Sequence, residues 1–298
     1  MASHMSLRWL AAELGVDVAL LRFVGSRTES YYRHFFRPKP NGEQRRIDKT
    51  IGDLRFLQDR ITQRLLRPYV FPDSMHGCVK GRSPLTNAKQ HTNQPCVVCV
   101  DIESFYPSVT CAQVYEVWTD VFDYGPPIAS LLTRLTTRHG HLPQGVPTSG
   151  YLANLAIAAA ARHVETAASG WRPTFYADDI TASGESARAA IEVIVGAVRN
   201  AGLAIGRDKT KVMPRGRAQR VTGYNIDRGQ PSVPRKKRDK IRCAIDELRT
   251  RFRHGRTTFR LERSIAGRIS HIRMTNPKHA ERLDLLLEKV LDGDTIPW

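Results

Sequence analysis

The chain has 298 residues, of which 41% are hydrophobic, so it carries enough apolar material for a folded core of one large domain or two to three smaller ones, and a wholly disordered chain is excluded. No run of 18 apolar residues is present, which excludes a membrane-crossing helix, and five Cys without a spaced framework argue against a secreted disulfide scaffold and for a reducing cytoplasm. Lys and Arg number 46 against 29 Asp and Glu, and this surplus of +17 favours a polyanionic partner, because cations that neutralise phosphates release condensed counterions.

Met1-Ala2-Ser3-His4-Met5 reads as a remnant of cloning, with Met5 the expected start, and no secretory apolar stretch follows it. Residues 6–36 are expected to be helical from Leu10, Leu14, Val18, Leu21 and Val24; a helical pair packed on the main domain is preferred to a DNA-reading helix-turn-helix. Residues 37–50 form a basic segment in which Pro38-Lys39-Pro40-Asn41-Gly42 signals a turn between extended pieces. Residues 51–70 read as an amphipathic helix, 96–102 as a short buried strand, and 112–137 as helix interrupted at Gly125-Pro126-Pro127. An Ala-rich helix is expected over 149–168, a hairpin over 174–183, a helix over 186–201 and extended chain over 203–213. Residues 233–298 read as helical and basic, with 17 Lys and Arg against 9 Asp and Glu. Cys96 and Cys99 have the spacing of half a zinc site, but no second pair follows, and they are read as core residues of the strand.

Two segments place acids where acids are uncomfortable. Val97-Val98-Cys99-Val100 delivers Asp101 at the end of an apolar strand, and Asp178-Asp179 sit between the apolar halves of the expected hairpin. Like charges repel, and partial burial sharpens the repulsion. A divalent cation offsets both costs, and three carboxylates from neighbouring strands suit Mg²⁺, which keeps waters for a substrate phosphate. Two such ions can clamp the attacking and leaving oxygens of a phosphoryl displacement.

Phe175-Tyr176-Ala177-Asp178-Asp179 resembles the YxDD box of reverse transcriptases, and Asp101-Ile102-Glu103-Ser104-Phe105-Tyr106 resembles their first carboxylate motif. Leu142-Pro143-Gln144-Gly145-Val146-Pro147-Thr148-Ser149, with Leu152 and Asn154, is similar to the PQG motif between them. Gly202-Leu203-Ala204-Ile205 with Asp208-Lys209-Thr210 is similar to the motif that follows the YxDD hairpin. Asn87-Ala88-Lys89-Gln90-His91 and Val221-Thr222-Gly223 resemble the NAxxH and VTG signatures of bacterial retron reverse transcriptases.

The resemblance implies an α+β right-hand polymerase with fingers over 37–95 and part of 107–150, a ferredoxin-like palm over 96–230 and a basic helical thumb over 231–298. It implies that Asp101, Asp178 and Asp179, with the Ile102 carbonyl, hold two Mg²⁺ ions, for which Mn²⁺ can substitute. Tyr106 becomes the aromatic gate that favours dNTPs over ribonucleotides, the alternative being a core aromatic; Gln144 and Gly145 support the nascent base pair. Lys39, Arg45 and Arg46 fall over the triphosphate, and Lys209, with Lys211 as the nearby alternative, becomes the acid at the leaving pyrophosphate. Ser149 is expected to cap the helix it begins and Asn154 to hold the preceding loop. Asn87, His91, Val221, Thr222 and Gly223, with Arg235, Lys236, Lys237 and Arg238, are assigned to a cognate structured non-coding RNA, the alternative for His91 being to satisfy a buried carbonyl. The implied activity copies part of that RNA into single-stranded DNA, self-primed from a guanosine 2′-hydroxyl, in the bacterial cytoplasm, with a role in anti-phage defence and a separate effector protein. Another small bacterial reverse transcriptase and a non-catalytic RNA-binding scaffold are the competing readings.

Overall fold

A computed structural model describes residues 6–39, 42–206, 209–255 and 258–292. Met1–Met5, Pro40 and Asn41 of the expected turn, Asp208 of the motif around Lys209, and the last six residues of the expected thumb lie outside the described residues.

Helix α1 (Leu7–Leu14) starts where the Ser6 hydroxyl accepts from the Trp9 amide and stops at Gly15, whose φ of 65° ends the helix without a Cβ penalty. Helix α2 (Val18–Gly25) follows, and a single turn at Thr28–Tyr31 leads into strand β1 (Tyr32–Pro38). The expected helix therefore ends early: residues 32–36 belong to a hairpin with β2 (Gln44–Thr50), in which Phe35 pairs with Ile47 and Arg37 with Arg45. Cross-strand pairing overrides the helical spacing there. Helix α3 (Gly52–Ile61) runs on into a wider π-helical turn, Thr62–Leu66.

The short helix α4 (Pro84–Lys89) has no counterpart in the sequence pattern. Strand β3 (Cys96–Asp101) is followed by α5 (Phe105–Ser108), α6 (Cys111–Glu116), a π-helical turn at Val117–Val121, and α7 (Pro126–Thr136), which opens on the two prolines predicted to interrupt the run. Helix α8 (Ser149–Ala167), the hairpin of β4 (Trp171–Tyr176) and β5 (Asp179–Gly184), and α9 (Ala190–Asn200) come next. Strand β6 is Lys211–Pro214, so of the stretch expected to be extended from Leu203, Leu203, Ala204, Gly206 and Thr210 lie outside any strand, and Ile205 makes a single bridge to Ile102. The two-residue strands β7 (Arg220–Val221) and β8 (Tyr224–Asn225) precede helices α10 (Arg235–Arg253), α11 (Phe259–Arg273) and α12 (Pro277–Leu291).

Contacts divide the chain into two units, one of residues up to Ser83 with Cys96–Val212, the other of Pro84–Pro95 with the residues from Met213 onward. In the first unit α1, α2, α3 and α7 share a core through Leu10, Leu14, Leu21, Val24, Leu54, Leu57 and Leu132, none of them exposed. Each such side chain contributes about 1.5–3 kcal/mol of transfer free energy. The sheet runs in the order β4-β5-β3-β6. Val97, Val98 and Val100 are all buried, which explains the continuous apolar run, because α8 and α9 pack on the sheet.

In the second unit, β7 and β8 join through Thr222-Gly223, both at positive φ (44° and 86°), the tight hairpin turn that suits strand twist. The Asn93 amide donates to the Ile226 carbonyl at 3.0 Å and the Arg215 amide to the Pro95 carbonyl at 2.7 Å, which ties residues 84–95 to this unit. Helices α10–α12 bury one stripe each, including Ile241, Ile245 and Leu248, then Ile265 and Ile269, then Leu283 and Val290. Among the described residues, no helix is long and apolar enough to cross a membrane.

Candidate active site

The β3–β5 register sets Asp101 directly opposite Asp179, and the β4–β5 register pairs Tyr176 with Asp179 across the tight turn Ala177-Asp178. All three carboxylates thus fall at one end of the sheet. The Ile102 amide extends the ladder by donating to the Asp178 carbonyl at 2.8 Å. Ala177 takes a φ of 52°, an uncommon conformation for a residue with a Cβ, so its neighbours must hold it. They do so by laying residues 74–77 along β4. The Phe175 amide donates to the Ser74 carbonyl at 2.8 Å, and the His76 amide returns to the Phe175 carbonyl at 2.7 Å. A Cβ on Gly77 would collide with the Ala177 amide nitrogen, so only glycine permits this approach.

Asn154 serves this strap, its Nδ2 donating to the Gly77 carbonyl at 2.5 Å, and so it does not hold the loop before α8 as expected. Ser149 is not the cap of α8 either. Thr148 precedes the helix without a side-chain capping bond, while the buried Ser149 hydroxyl donates to the Pro143 carbonyl at 2.6 Å. The loop geometry, rather than the helix end, uses that hydroxyl.

Burial and the two neighbouring carboxylates push Asp179 up to about 6, and burial, with Asp101 beside it, raises Asp178 as well. The compensating cations are Lys209, Lys211 and Arg45. Lys209 Nζ donates to Asp101 Oδ2 at 2.7 Å, and this bond holds the ammonium above its ordinary pKa. The segment leading to Lys209 is placed by the Gly206 amide, which donates to the Asp101 carbonyl, and by the Glu103 amide, which donates to the Ala204 carbonyl, each at 2.9 Å. Among the described residues, no group of three His, Cys, Asp or Glu side chains is arranged to enclose a metal ion. The donor chemistry nonetheless fits one: three hard oxygen donors repel one another, and the ammonium bonded to Asp101 is more than half exposed.

A cavity of about 1450 Å³ opens here, with Lys39, Arg45, Arg46, Ile102, Tyr106, Gln144, Asp178 and Lys209 on its wall. Its size accommodates a nucleotide. Arg46 donates from Nε to Asp48 at 3.1 Å and Lys39 is paired with Glu43 at 2.7 Å, so two of the three cations expected over the triphosphate already have acidic partners. Among the described residues Arg45 makes no close ion pair, and its charge acts on Asp178 from a greater distance. Gly145 stands behind this wall, where a Cβ would come within 2.7 Å of the Asp48 carbonyl oxygen. Tyr106 is half-buried, and burial, Cys78 and Asp178 drive its hydroxyl far above its ordinary pKa, so it is neutral. The Cys78 thiol bonds that hydroxyl and is raised by burial. No spacing or motif points to Cys78, Gly77 or the cavity residue Arg199; only long-range contact places them, and Glu103, inside the first carboxylate motif, joins the cavity wall with no role expected of it. Cys96 and Cys99 are half-buried on β3, and Cys99 is pushed up to about 11 by burial beside Thr181.

The other predicted residues gather in the second unit. Asn87, His91 and Val221 are at most 1% exposed and present no surface. The Thr222 hydroxyl donates to the Pro84 carbonyl at 2.7 Å, and Lys237 Nζ to the Gly223 carbonyl at 3.3 Å. The Tyr224 hydroxyl meets His271 Nδ1 at 3.1 Å. Arg235, Lys236 and Lys237 are exposed at the start of α10, and Arg238 is half-buried.

The family model for reverse transcriptase (RNA-dependent DNA polymerase) matches residues 37–226. The class is therefore an RNA-directed DNA polymerase of the α+β right-hand type, with nucleic-acid partners and a requirement for divalent metal. Retron Mx65 reverse transcriptase of Myxococcus xanthus is 32% identical, over 92% of this chain and 69% of its own length. Retron Se72 reverse transcriptase of Salmonella heidelberg (strain 579083-10) is 25% identical, over 96% and 79%. Retron Ec86 reverse transcriptase of Escherichia coli is 28% identical, over 78% and 75%. The chain belongs to the reverse transcriptase family, in its bacterial retron type.

Proposed function

We propose that this enzyme copies part of a cognate structured non-coding RNA into single-stranded DNA, starting from a guanosine 2′-hydroxyl and so leaving a 2′,5′-branched RNA–DNA. The observation that carries the reading is the register that sets Asp101 opposite Asp179, with Asp178 in the turn, beside a basic cavity. The β1–β2 hairpin serves as fingers, the four-stranded sheet as palm and α10–α12 as thumb. An effector on a separate chain and a role in anti-phage defence complete the proposal, which places the enzyme in the bacterial cytoplasm.

In the polymerising step the attacking hydroxyl gives its proton to water, its oxygen bonds to the α-phosphorus of a dNTP, and the bond from that phosphorus to the pyrophosphate oxygen breaks. Asp101, Asp178 and Asp179, with the Ile102 carbonyl, are the residues that would hold two Mg²⁺ ions, or Mn²⁺ in their place. When bound, these ions supply Lewis acidity and neutralise the triphosphate. Arg45 orients the triphosphate from the hairpin. Tyr106 places a flat neutral ring on the cavity wall, where it excludes a 2′-hydroxyl on the incoming sugar. Lys209 leaves Asp101 and gives its Nζ proton to the departing pyrophosphate. Arg235, Lys236, Lys237 and Arg238 track RNA phosphates, and Asn87, His91 and the Val221-Thr222-Gly223 turn support that surface from beneath.

The test is Mg²⁺-dependent dNTP incorporation on an RNA template with a DNA primer, beside an Asp178→Asn/Asp179→Asn control. Incorporation that vanishes in the control supports the reading. Incorporation that persists there removes the carboxylates from the chemistry. A copurifying RNA–DNA resistant to ordinary 3′,5′ cleavage at the branch supports self-priming, and a linear product overturns it.

A further inference from the structure

Arg138 lies beyond the cavity and takes no part in the chemistry proposed there, yet it is one of the most heavily engaged cations of the first unit. It follows α7 in a tight reversal, its amide donating to the His141 carbonyl at 2.8 Å and the His141 amide returning at 3.1 Å. His139 and Gly140 at the tip both take positive φ. The chain then runs directly into Pro143-Gln144-Gly145. The guanidinium is only 10% exposed. It donates from one terminal nitrogen to Asp48 Oδ1 at 2.6 Å and from Nε to Glu29 at 3.0 Å, and it lies 4.5 Å over the Tyr32 ring. Asp48 is itself 8% exposed and also accepts from Arg46 at 3.1 Å.

These contacts join β1 and β2 to the loop of Gln144 by two routes. One is the Arg138 side chain to Asp48. The other is backbone: the Asp48 amide donates to the Gln144 carbonyl at 2.8 Å, and the Asp48 carbonyl lies against Gly145. Arg45 stands three positions before Asp48 on the same strand and lines the cavity together with Asp178. A buried carboxylate held by two guanidiniums has little freedom, so the strand that carries Arg45 has little freedom either.

We propose that Arg138 is a positioning residue for the incoming nucleotide: through Asp48 it clasps the β1–β2 hairpin to the Gln144–Gly145 loop and so fixes Arg45 over the cavity. This rests on the reading of the cavity as the dNTP site. Arg138 touches no substrate. A loosened clasp therefore weakens nucleotide binding and spares the chemical step once nucleotide is saturating.

The experiment is steady-state single-nucleotide extension on an RNA template with a DNA primer, using the full chain. The variants are Arg138→Lys, Arg138→Ala, Asp48→Asn, the double variant Arg138→Ala/Asp48→Asn, and Arg45→Ala as benchmark. The expected result is a KM for dNTP raised about tenfold in Arg138→Ala and Asp48→Asn with kcat within about threefold, the size of a modest misplacement of one binding group. Arg138→Lys recovers part of the loss, and the double variant is no worse than the worse single, because both act through one contact. Should Arg138→Ala fail to fold, Arg138→Lys and Asp48→Asn decide by the same split. A fall in kcat with KM unmoved overturns the clasp. So does an unchanged KM in these variants while Arg45→Ala raises it. An unchanged KM in Arg45→Ala overturns the nucleotide site itself, and the clasp with it.

Discussion

The two units use charge in opposite ways. In the first, three carboxylates crowd one end of a sheet whose strands are otherwise apolar, and burial with mutual repulsion raises Asp178 and Asp179. In the second, Arg235, Lys236 and Lys237 stand exposed on a helix whose opposite stripe is buried Ile, Ala and Leu. Exposed cations cost the fold almost nothing, whereas clustered acids, two of the three partly buried, work against it. A fold retains such a cluster when a cation arrives with the substrate. On the proposed function, conflict with stability goes with the chemistry and freedom from conflict with the surface for RNA.

Substitutions should separate these two behaviours. Asp178→Asn is the largest expected effect: incorporation falls by about 10²–10³-fold or more, because a positioned charge is removed from the reacting centre. RNA affinity, measured by filter binding, stays near that of the parent enzyme. The converse variant replaces Arg235, Lys236 and Lys237 with Ala. RNA affinity falls and the slope of log K against log salt drops by about one for each phosphate no longer neutralised, while extension of a short primed template at saturating concentration persists. If both variants lose both properties, the division between the units fails.

Gly77→Ala comes next. The added methyl group meets the Ala177 amide and the Tyr176 backbone, neither of which can move without moving Asp178. A cost of about 1–3 kcal/mol in stability, read by thermal denaturation, is expected together with loss of incorporation. Normal activity in a stable Gly77→Ala enzyme would show that the strap does not set the turn.

The pH dependence of the metal-free enzyme follows from Asp179. Its folded pKa, about 6, lies above the ordinary 3.8, so between these values the folded state binds more protons than the unfolded one. Stability therefore falls as pH rises from about 4 to about 6. Asp178 is raised in the same direction, so Asp179→Asn reduces this slope without abolishing it, and raises the melting temperature at pH 7 but not at pH 4. The side chain reaches solvent on one side, so screening keeps the gain small. A divalent cation should flatten the same slope in the parent enzyme.

Much of the site is legible in the sequence because its cost is local. Asp178-Asp179 between apolar half-strands and Asp101 after Val97-Val98-Cys99-Val100 need no partner to look wrong, and the strand and hairpin fall where periodicity puts them. What stays hidden depends on residues far apart. Lys209 reaches Asp101, Gly77 reaches Ala177 and Arg138 reaches Asp48, and no spacing announces such meetings. Residues 32–36 fall within the helix expected from Leu10, Leu14, Val18, Leu21 and Val24, and only pairing with β2 overrules that reading. Helix α4 escapes notice because it is six residues long and buries Asn87 among its apolar side chains.

The smallest expected effect lies at the Val221-Thr222-Gly223 turn, and it sharpens the comparison most finely. The Thr222 hydroxyl is already committed to the carbonyl of Pro84, the first residue of α4. Thr222→Val keeps the shape and removes the donor, which deletes one hydrogen bond to the first carbonyl of α4 and costs about 1 kcal/mol. If the turn supports the basic surface rather than touching RNA, the melting temperature falls by about 2–4 °C while RNA affinity well below that temperature holds steady. An affinity loss with stability unchanged would instead put the Thr222 hydroxyl on the RNA. The turn would then join Arg235, Lys236 and Lys237 as ligand surface, and the contrast between buried chemistry and exposed recognition would narrow to the helix alone.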